Sequence, residues 1–349
     1  MDARFFACLA ATVVACATPS SSPAPPSPRP PTPIAPAPRA GGYHLGPLIT
    51  YRGICDASAA AGLAGGLIAI GDDEDNHLRI YDAARGGDPV EVIDTRDHLA
   101  DAHGKHPEMD IEGAATVGGR VYWIASHGRR KSGKAAPSRL KLFASDVTGG
   151  HLAVVGRPYA GLLDDLTRAP QLARYRLADA AARAPNAPGG LNIEGLTETP
   201  DGHLLIGFRS PVPDGHALVV PIENPADLVE RGAAAVLGDP IDLELEGRGI
   251  RTLATWGGAY WIVGGAPAEP TEPSRIYRWK GGTDRPVHLS SVDLGDLNPE
   301  ALAAVEVAGT TKLLLISDDG SRDAGGTPCK RLEDPSRKAF RAAWLEKDL

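Results

Sequence analysis

"NIEGLTETPDGHLLIGFRSP", residues 192–211, decides the fold. It sets an acidic residue, Glu194, just ahead of a glycine, then a strand, a Gly/Asp turn and a stronger apolar strand. The same order returns in "DIEGAATVGGRVYWIASHG" from Asp110 and, with Ala301 in place of the glycine, in "NPEALAAVEVAGTTKLLLISDDG" from Asn298. A carboxylate therefore opens the same strand pair three times.

Working outward, five such units fill the chain from His44 to Leu349. The other two are "DASAAAGLAGG…LIAIGDDEDN" from Asp56 and "GIRTLATWGG…AYWIVGGAP" from Gly249. Each unit continues into a third strand, and all but the last into a fourth. Repeated four-stranded antiparallel units are the signature of a β-propeller. The expected fold is all-β, a five-bladed propeller, with six blades as the alternative. The last unit ends at "AFRAAWL" without a fourth strand, whereas "HLGPLITYRG", residues 44–53, precedes the first unit without a partner. Pairing the two would close the ring and remove an unpaired strand edge.

One stretch breaks the repeat. Between the second and third units, Leu162, Leu163, Leu166, Leu172, Tyr175 and Leu177 recur at near-helical spacing. A helical insertion is expected over about 161–184, either as a packed cover or as a lid over the site described next.

Composition agrees with a turn-rich fold. The 349 residues include 41 Gly and 31 Pro, and aromatics make up 5%. The formal charge of −8 supplies no basic surplus to displace counterions from phosphates, so nucleic acid is not an expected partner. Residues 1–16 read as an export signal ending in "VVAC", a lipobox-like stretch that would make Cys16 the lipidated residue. Plain cleavage near Ala15 or Ala17 is the alternative. Residues 17–42 are a proline-rich tether, in which half of Pro19 to Pro38 is proline. Residues 43–349 form the propeller domain. The expected location is the cell envelope, as an outer-membrane-anchored lipoprotein or a periplasmic protein. It is expected to be a monomer that touches a membrane only through its lipid anchor.

In a propeller, the turns into the first strand and out of the second share one face of the ring. That face should collect Asp56, Asp110, Glu112, Asn192, Glu194, Arg248, Arg251, Asn298 and Glu300 at the mouth of the central channel. Residues 72–76, 126–130, 209–210, 264–265 and 317–319 should join them. Carboxylates packed this closely repel one another unless a cation sits among them. The expected metal ligands are Asp110, Glu112, Glu194 and Glu300, and the expected ion is Ca²⁺. Arg209, Arg248 and Arg251 could supply the positive charge internally, and the glutamates could instead tie the blades together. Arg129, Arg209 and Arg251 are the candidate anion-binding residues, and His127 the candidate general base.

Other motifs are weaker. "GRRKSGKA" from Gly128 approaches a phosphate-binding loop, but Ala135 stands where the metal-binding hydroxyl belongs, and strands flank it. Its exposed reading is a cationic hairpin tip. "HLADAHGKHPEMD" offers His98, His103, His106, Glu108 and Asp110 without a helix to enforce spacing for zinc. "GDDEDNHLRIYD" is acidic but lacks the glycine of a calcium loop, and reads partly as a solvated turn. Cys55 follows the proposed closing strand and Cys329 precedes the final one, so both should lie at the seam and form a disulfide in an oxidising compartment, with two unrelated buried thiols as the alternative.

Several stretches, among them "GDDEDNHLRIY", "YWIASHGRRKSGK", "APGGLNIEGLTETPDGHLLIGFRSP" and "LNPEAL…LLLISDDG", together resemble the bacterial domain-of-unknown-function 3616 family from about Gly53 to Trp344. That resemblance implies the propeller fold and family membership. The phasing is more distantly similar to exported propellers of the phytase-like esterase and lactonase kind, which implies a calcium ion in the channel. This chain departs from them by placing Arg251 where a fourth acidic residue would stand. Two functions follow as expectations. One is a metal-assisted hydrolase of an ester, phosphoester or lactone. The other is a non-catalytic envelope module that binds a small anionic ligand or an envelope component.

Overall fold

The computed structural model describes residues 42–100, 105, 107–268 and 272–348. The export signal, Cys16 and most of the tether lie outside the described residues. Among the described residues, no helix is long and apolar enough to cross a membrane.

Five antiparallel sheets form a five-bladed β-propeller. Blade 1 runs through Ala57–Leu63, Leu67–Asp72, His77–Asp82 and Glu91–Asp94. Blade 2 comprises Ile111–Val117, Arg120–Ala125, Leu142–Thr148 and His151–Tyr159. Blade 3 comprises Asn192–Glu198, Leu204–Ser210, Ala217–Ile222 and Ile241–Leu243. Blade 4 comprises Gly249–Trp256, Ala259–Gly265, Arg275–Trp279 and Val287–His288. Blade 5 comprises Pro299–Val307, Thr310–Ser317 and Ala339–Lys347. The first strand of each blade packs against the first strands of its two neighbours, which closes the ring.

Local sequence explains the hairpins. Gly118–Gly119 and Gly257–Gly258 all have positive φ between inner and second strands. Both central residues of the two-residue turn that matches strand twist need that conformation, which glycine adopts without cost.

The N-terminal segment closes blade 5 as its pattern predicts. Tyr43–Leu45 and Ile49–Arg52 both pair antiparallel with Ala339–Lys347. The break between them falls at Pro47, which has no N–H to give to a ladder. Tyr51 then stacks on Phe340 at 4.9 Å, and its hydroxyl donates to the Ala83 carbonyl of blade 1. Cys55 and Cys329 form a disulfide across the same seam, 274 residues apart in sequence.

The apolar core is divided into layers between adjacent blades. Ile68, Ile316 and Phe340 join blades 5 and 1; Ile80, Ile111 and Trp123 join blades 1 and 2. The layer between blades 2 and 3 is the largest, because the insertion feeds it. Short helical turns at Leu162–Arg168, Pro170–Tyr175 and Leu177–Ala181 bury Leu162, Leu166, Leu172, Tyr175 and Leu177 against Ile124, Leu196 and Phe208. The periodic residues of the insertion are thus core. A helix that the repeat pattern did not predict, Pro225–Arg231, carries Leu228 and Val229 into this layer too. Its signals were Pro225 in the first turn and Gly232, left-handed at φ +64°, at the C-terminus.

Candidate channel-mouth site

Each inner strand is irregular at the same place. The pairing of inner with second strand slips by one residue at Ser58, Glu112, Glu194, Arg251 and Glu300. A β-bulge of this kind leaves one residue outside the ladder and re-aims its side chain. The recurrent carboxylate of the sequence is therefore the bulge residue of blades 2, 3 and 5. Ser and Arg hold the position in blades 1 and 4.

The glycine after each of two bulged glutamates has its own cause. A Cβ on Gly113 would lie 2.9 Å from Leu196 Cβ, and one on Gly195 would lie 2.9 Å from Ile250 Cγ2. The inner strands approach too closely for a side chain there. The Glu-Gly pair thus combines a bulge residue with a blade contact.

The mouth handles its charges in two ways. On the side of blades 3, 4 and 5, Glu194, Glu300 and Asp319 each have an arginine, whereas Asp318 accepts from the Gly320 N–H at 2.7 Å and from Asn298, and burial raises its pKa. Glu194 accepts from Asn192 Nδ2 at 2.7 Å and from Arg209 at 2.8 Å, and Arg251 Nε lies 3.3 Å from its other oxygen. Arg251 also pairs with Glu300, which accepts from Asn298 Nδ2 at 2.9 Å. Arg341 binds both oxygens of buried Asp319, at 2.7 and 2.8 Å. Arg248 turns away to Glu272 at 2.5 Å.

The side of blades 1 and 2 differs. Glu112 is 9% exposed, and no hydrogen bond or ion pair to it is seen among the described residues. Burial, then the charges of Glu194, Asp110 and Asp73, push its carboxyl well above the usual range. Burial and then Asp75 push Asp72 up to about 8. Asp73 is raised well above its ordinary value by burial, then by Asp72, Asp56 and Asp318. Its Oδ1 is buried with no hydrogen-bond partner. Burial, then Asp318, lifts Asp56 to about 7. Carboxylate oxygens of Asp56, Asp73 and Glu74 all lie within 4.8 Å of one another. Asp110 is intermediate: burial lifts it to about 6 while Arg139, 2.7 Å away, pulls it down.

His127 follows the second strand of blade 2, is 2% exposed, and has a φ of +54°. Its Nδ1 lies 2.7 Å from the Ala125 carbonyl, an acceptor only, so Nδ1 carries the proton and Nε2 holds a bare lone pair. Nε2 has no hydrogen-bond partner among the described residues. Burial lowers its pKa to about 4, so the ring is neutral at physiological pH.

The candidate anion-binding arginines are engaged. Arg129 donates to the carbonyls of Ala181 and Gly133 and so anchors the insertion. Arg209 donates to Glu194 and to the carbonyls of Ala266 and Ala268. Exposed cations near the mouth include Arg130, Lys131 and Lys134, on the turn that Arg130 and Lys134 close by a backbone hydrogen bond. His98 lies exposed and Glu108 is paired with Arg139, while His103 and His106 lie outside the described residues.

Sequence reasoning did not find Arg139, Lys330 or Arg341 as mouth residues. Each comes from a third strand or from the loop that leads into it, and only the closed ring brings it inward.

The geometry can be set beside known proteins. Residues 151–322 match the family described as "Protein of unknown function (DUF3616)". The matched stretch runs from the outer strand of blade 2 into blade 5. It includes Glu194, Arg209, Arg251 and Glu300 and stops short of Asp56, Asp73, Glu112 and Lys330. No curated protein matches the chain. Among solved structures, Myxococcus xanthus glutaminyl cyclase is 12% identical over 88% of this chain and 96% of its own, with a TM-score of 0.45. A PQQ-bound aldose sugar dehydrogenase from Streptomyces coelicolor is 16% identical over 89% and 99%, at 0.45. The gluconolactonase XC5397 from Xanthomonas campestris is 16% identical over 79% and 75%, at 0.38.

Proposed function

We propose that the channel mouth is a cation-dependent hydrolytic site for an ester, phosphoester or lactone, on a propeller exported to the cell envelope and anchored through Cys16. The observation that supports it is Glu112. A carboxyl buried among Glu194, Asp110 and Asp73, and only partly offset by Arg251, which is already paired with Glu194 and Glu300, is costly unless a ligand compensates it.

Of the four carboxylates expected as ligands, Glu194 and Glu300 already share Arg251, and Asp110 has Arg139. Glu112, close to Asp73, and the cluster of Asp56, Asp73 and Glu74 fit a cation better, because no ion pair to Glu112 or Asp73 is seen among the described residues and all are hard oxygen donors. A bound divalent ion would supply Lewis-acid polarisation of a carbonyl or phosphoryl oxygen. His127 has the correct tautomer for a proton acceptor at Nε2, and its neutrality keeps that lone pair available through the physiological range. Arg130, Lys131 and Lys134 would attract the anionic end of a substrate.

A second reading, a non-catalytic binding module for an anionic ligand, is favoured by the burial of His127 at 2% exposure. The experiment is a hydrolysis screen over ester, phosphoester and lactone panels, with and without chelator, on wild type and His127→Asn. The hydrolase reading expects turnover that chelator abolishes and that the substitution lowers by about 100-fold or more. Cation binding without turnover of any panel member supports the binding module instead.

A further inference from the structure

We propose that Asp56, Asp73 and Glu74 form a divalent-cation seat on the blade 1 side of the mouth, and that Lys330 competes with the cation for it. The inference rests on the cation reading above and gives it a location other than the Glu194–Glu300 side.

Three observations carry it. The first is the donor set. The three carboxylates converge within 4.8 Å, and Asp73 keeps a buried oxygen that no protein group satisfies among the described residues. An unsatisfied anionic oxygen shielded from water is expensive and calls for a partner. Glu112, nine-tenths buried and without a partner among the described residues, stands beside it. Ser58 donates to the Ile111 carbonyl at 2.5 Å, which ties the start of blade 1 to the Glu112 strand. Asn76 donates to the Pro107 carbonyl and accepts from Met109 N–H, which ties the 72–76 turn to the segment leading into that strand.

The second is construction. Asp72 Oδ1 accepts from the Glu74 N–H at 2.7 Å, so the turn that presents Asp73 and Glu74 is folded over a buried side chain. Asp56 fills the space over Gly320: a Cβ there would sit 1.7 Å from Asp56 Oδ1. The Asp319 N–H bonds the Cys55 carbonyl. Asp56 is therefore packed against the 319–320 turn from the other end of the chain.

The third is Lys330. Its Nζ lies 2.9 Å from Glu74 Oε1 and 3.8 Å from Asp56 Oδ1. The Cys55–Cys329 disulfide places Asp56 and Lys330, each the next residue in sequence, side by side. Lys330 thus reaches two of the three carboxylates and leaves Asp73 to an external ion. An ammonium that holds the same oxygens must be displaced before a metal can use them, so it sets the affinity and makes binding depend on ionic strength.

The test is calorimetric titration of the whole mature protein with Ca²⁺ alone, on wild type, Asp73→Asn, Glu74→Gln, Lys330→Met and Glu194→Gln. Affinity follows the number of charged ligands, so the first two substitutions should each weaken binding by about tenfold or more. Lys330→Met should tighten it several-fold, and Glu194→Gln should leave it within about twofold. Glu74 is half exposed, so its variant is informative even if Asp73→Asn does not fold. Loss of binding in Glu194→Gln with none in Glu74→Gln overturns this location and leaves the cation reading standing. An unchanged or weakened affinity in Lys330→Met overturns the competition. No Ca²⁺ binding by either wild type or Lys330→Met overturns both the seat and the cation reading.

Discussion

The two halves of the channel mouth use the same backbone device for different ends. Around blades 3, 4 and 5, bulged Glu194 and Glu300 are joined through bulged Arg251, and Asn192 and Asn298 take further lone pairs. The ring is stitched together there by complementary charge. Around blades 1 and 2, bulged Glu112 meets Ser58 on one side and the already engaged Glu194 on the other, with Asp73 close by. A carboxylate at a given repeat position is thus structural or available according to what its neighbouring blades offer. The repeat itself does not decide.

The largest effect should come from breaking the stitched half. Arg251 is 8% exposed and shared by two carboxylates, so Arg251→Met leaves both without it. Removing one partner of a buried ion pair typically costs ~3–5 kcal/mol. Urea unfolding in chelator should show a loss of that size. A loss below about 1 kcal/mol would mean that the stitched half does not hold the ring.

The fold was legible because its signals are local. Alternating strands, paired glycines with positive φ and the recurring Glu-Gly step each report on a few neighbouring residues. The closing strand and the disulfide followed by counting what the last blade lacked. The difference between the two halves of the mouth was not legible. Lys330 reaches Asp56 and Glu74 across most of the chain, and Arg341 reaches Asp296 and Asp319 from a different strand, with no periodicity to mark either. The acidic turn at 72–76 falls at the mouth by its place in the repeat, yet part of it reads as solvated, because nothing local states that Asp72 will be buried. Arg129 and Arg209 look free for an anion because backbone carbonyl partners leave no trace in the sequence.

A middle-sized effect should appear with pH. Asp72, Asp56 and Asp110 have folded pKa values of about 8, 7 and 6, above those of an unfolded chain. The folded state therefore binds more protons, and these groups make it more stable as pH falls through those values. His127 acts oppositely: its folded pKa of about 4 lies below the unfolded value, so stability is lost as pH falls below about 6.5. The carboxylates dominate between pH 8.5 and about 7, because the imidazole contributes only as pH nears its unfolded value of about 6.5. In chelator the melting temperature should rise over that descent, and saturating Ca²⁺ should flatten the slope. A melting temperature that falls steadily over the same range in chelator would contradict the uncompensated half.

The smallest effect belongs to Glu112. Glu112→Gln keeps size and hydrogen-bonding capacity and replaces a carboxyl that its surroundings already push towards the neutral form. In chelator its stability should stay within about 1 kcal/mol of wild type or rise, since replacing a destabilised buried charge relieves its desolvation. A loss comparable to that of Arg251→Met would erase the distinction between the two halves.

The central claim is that the mouth is compensated on one side and open to a cation on the other. Anomalous diffraction from crystals grown with Mn²⁺ or Ca²⁺ reads this directly. The expected result is a peak bonded to an Asp73 oxygen, at about 2.3–2.6 Å for Ca²⁺, with Arg251 still bridging Glu194 and Glu300. A peak between Glu194 and Glu300 with Arg251 displaced, or no peak at the mouth at all, would contradict it.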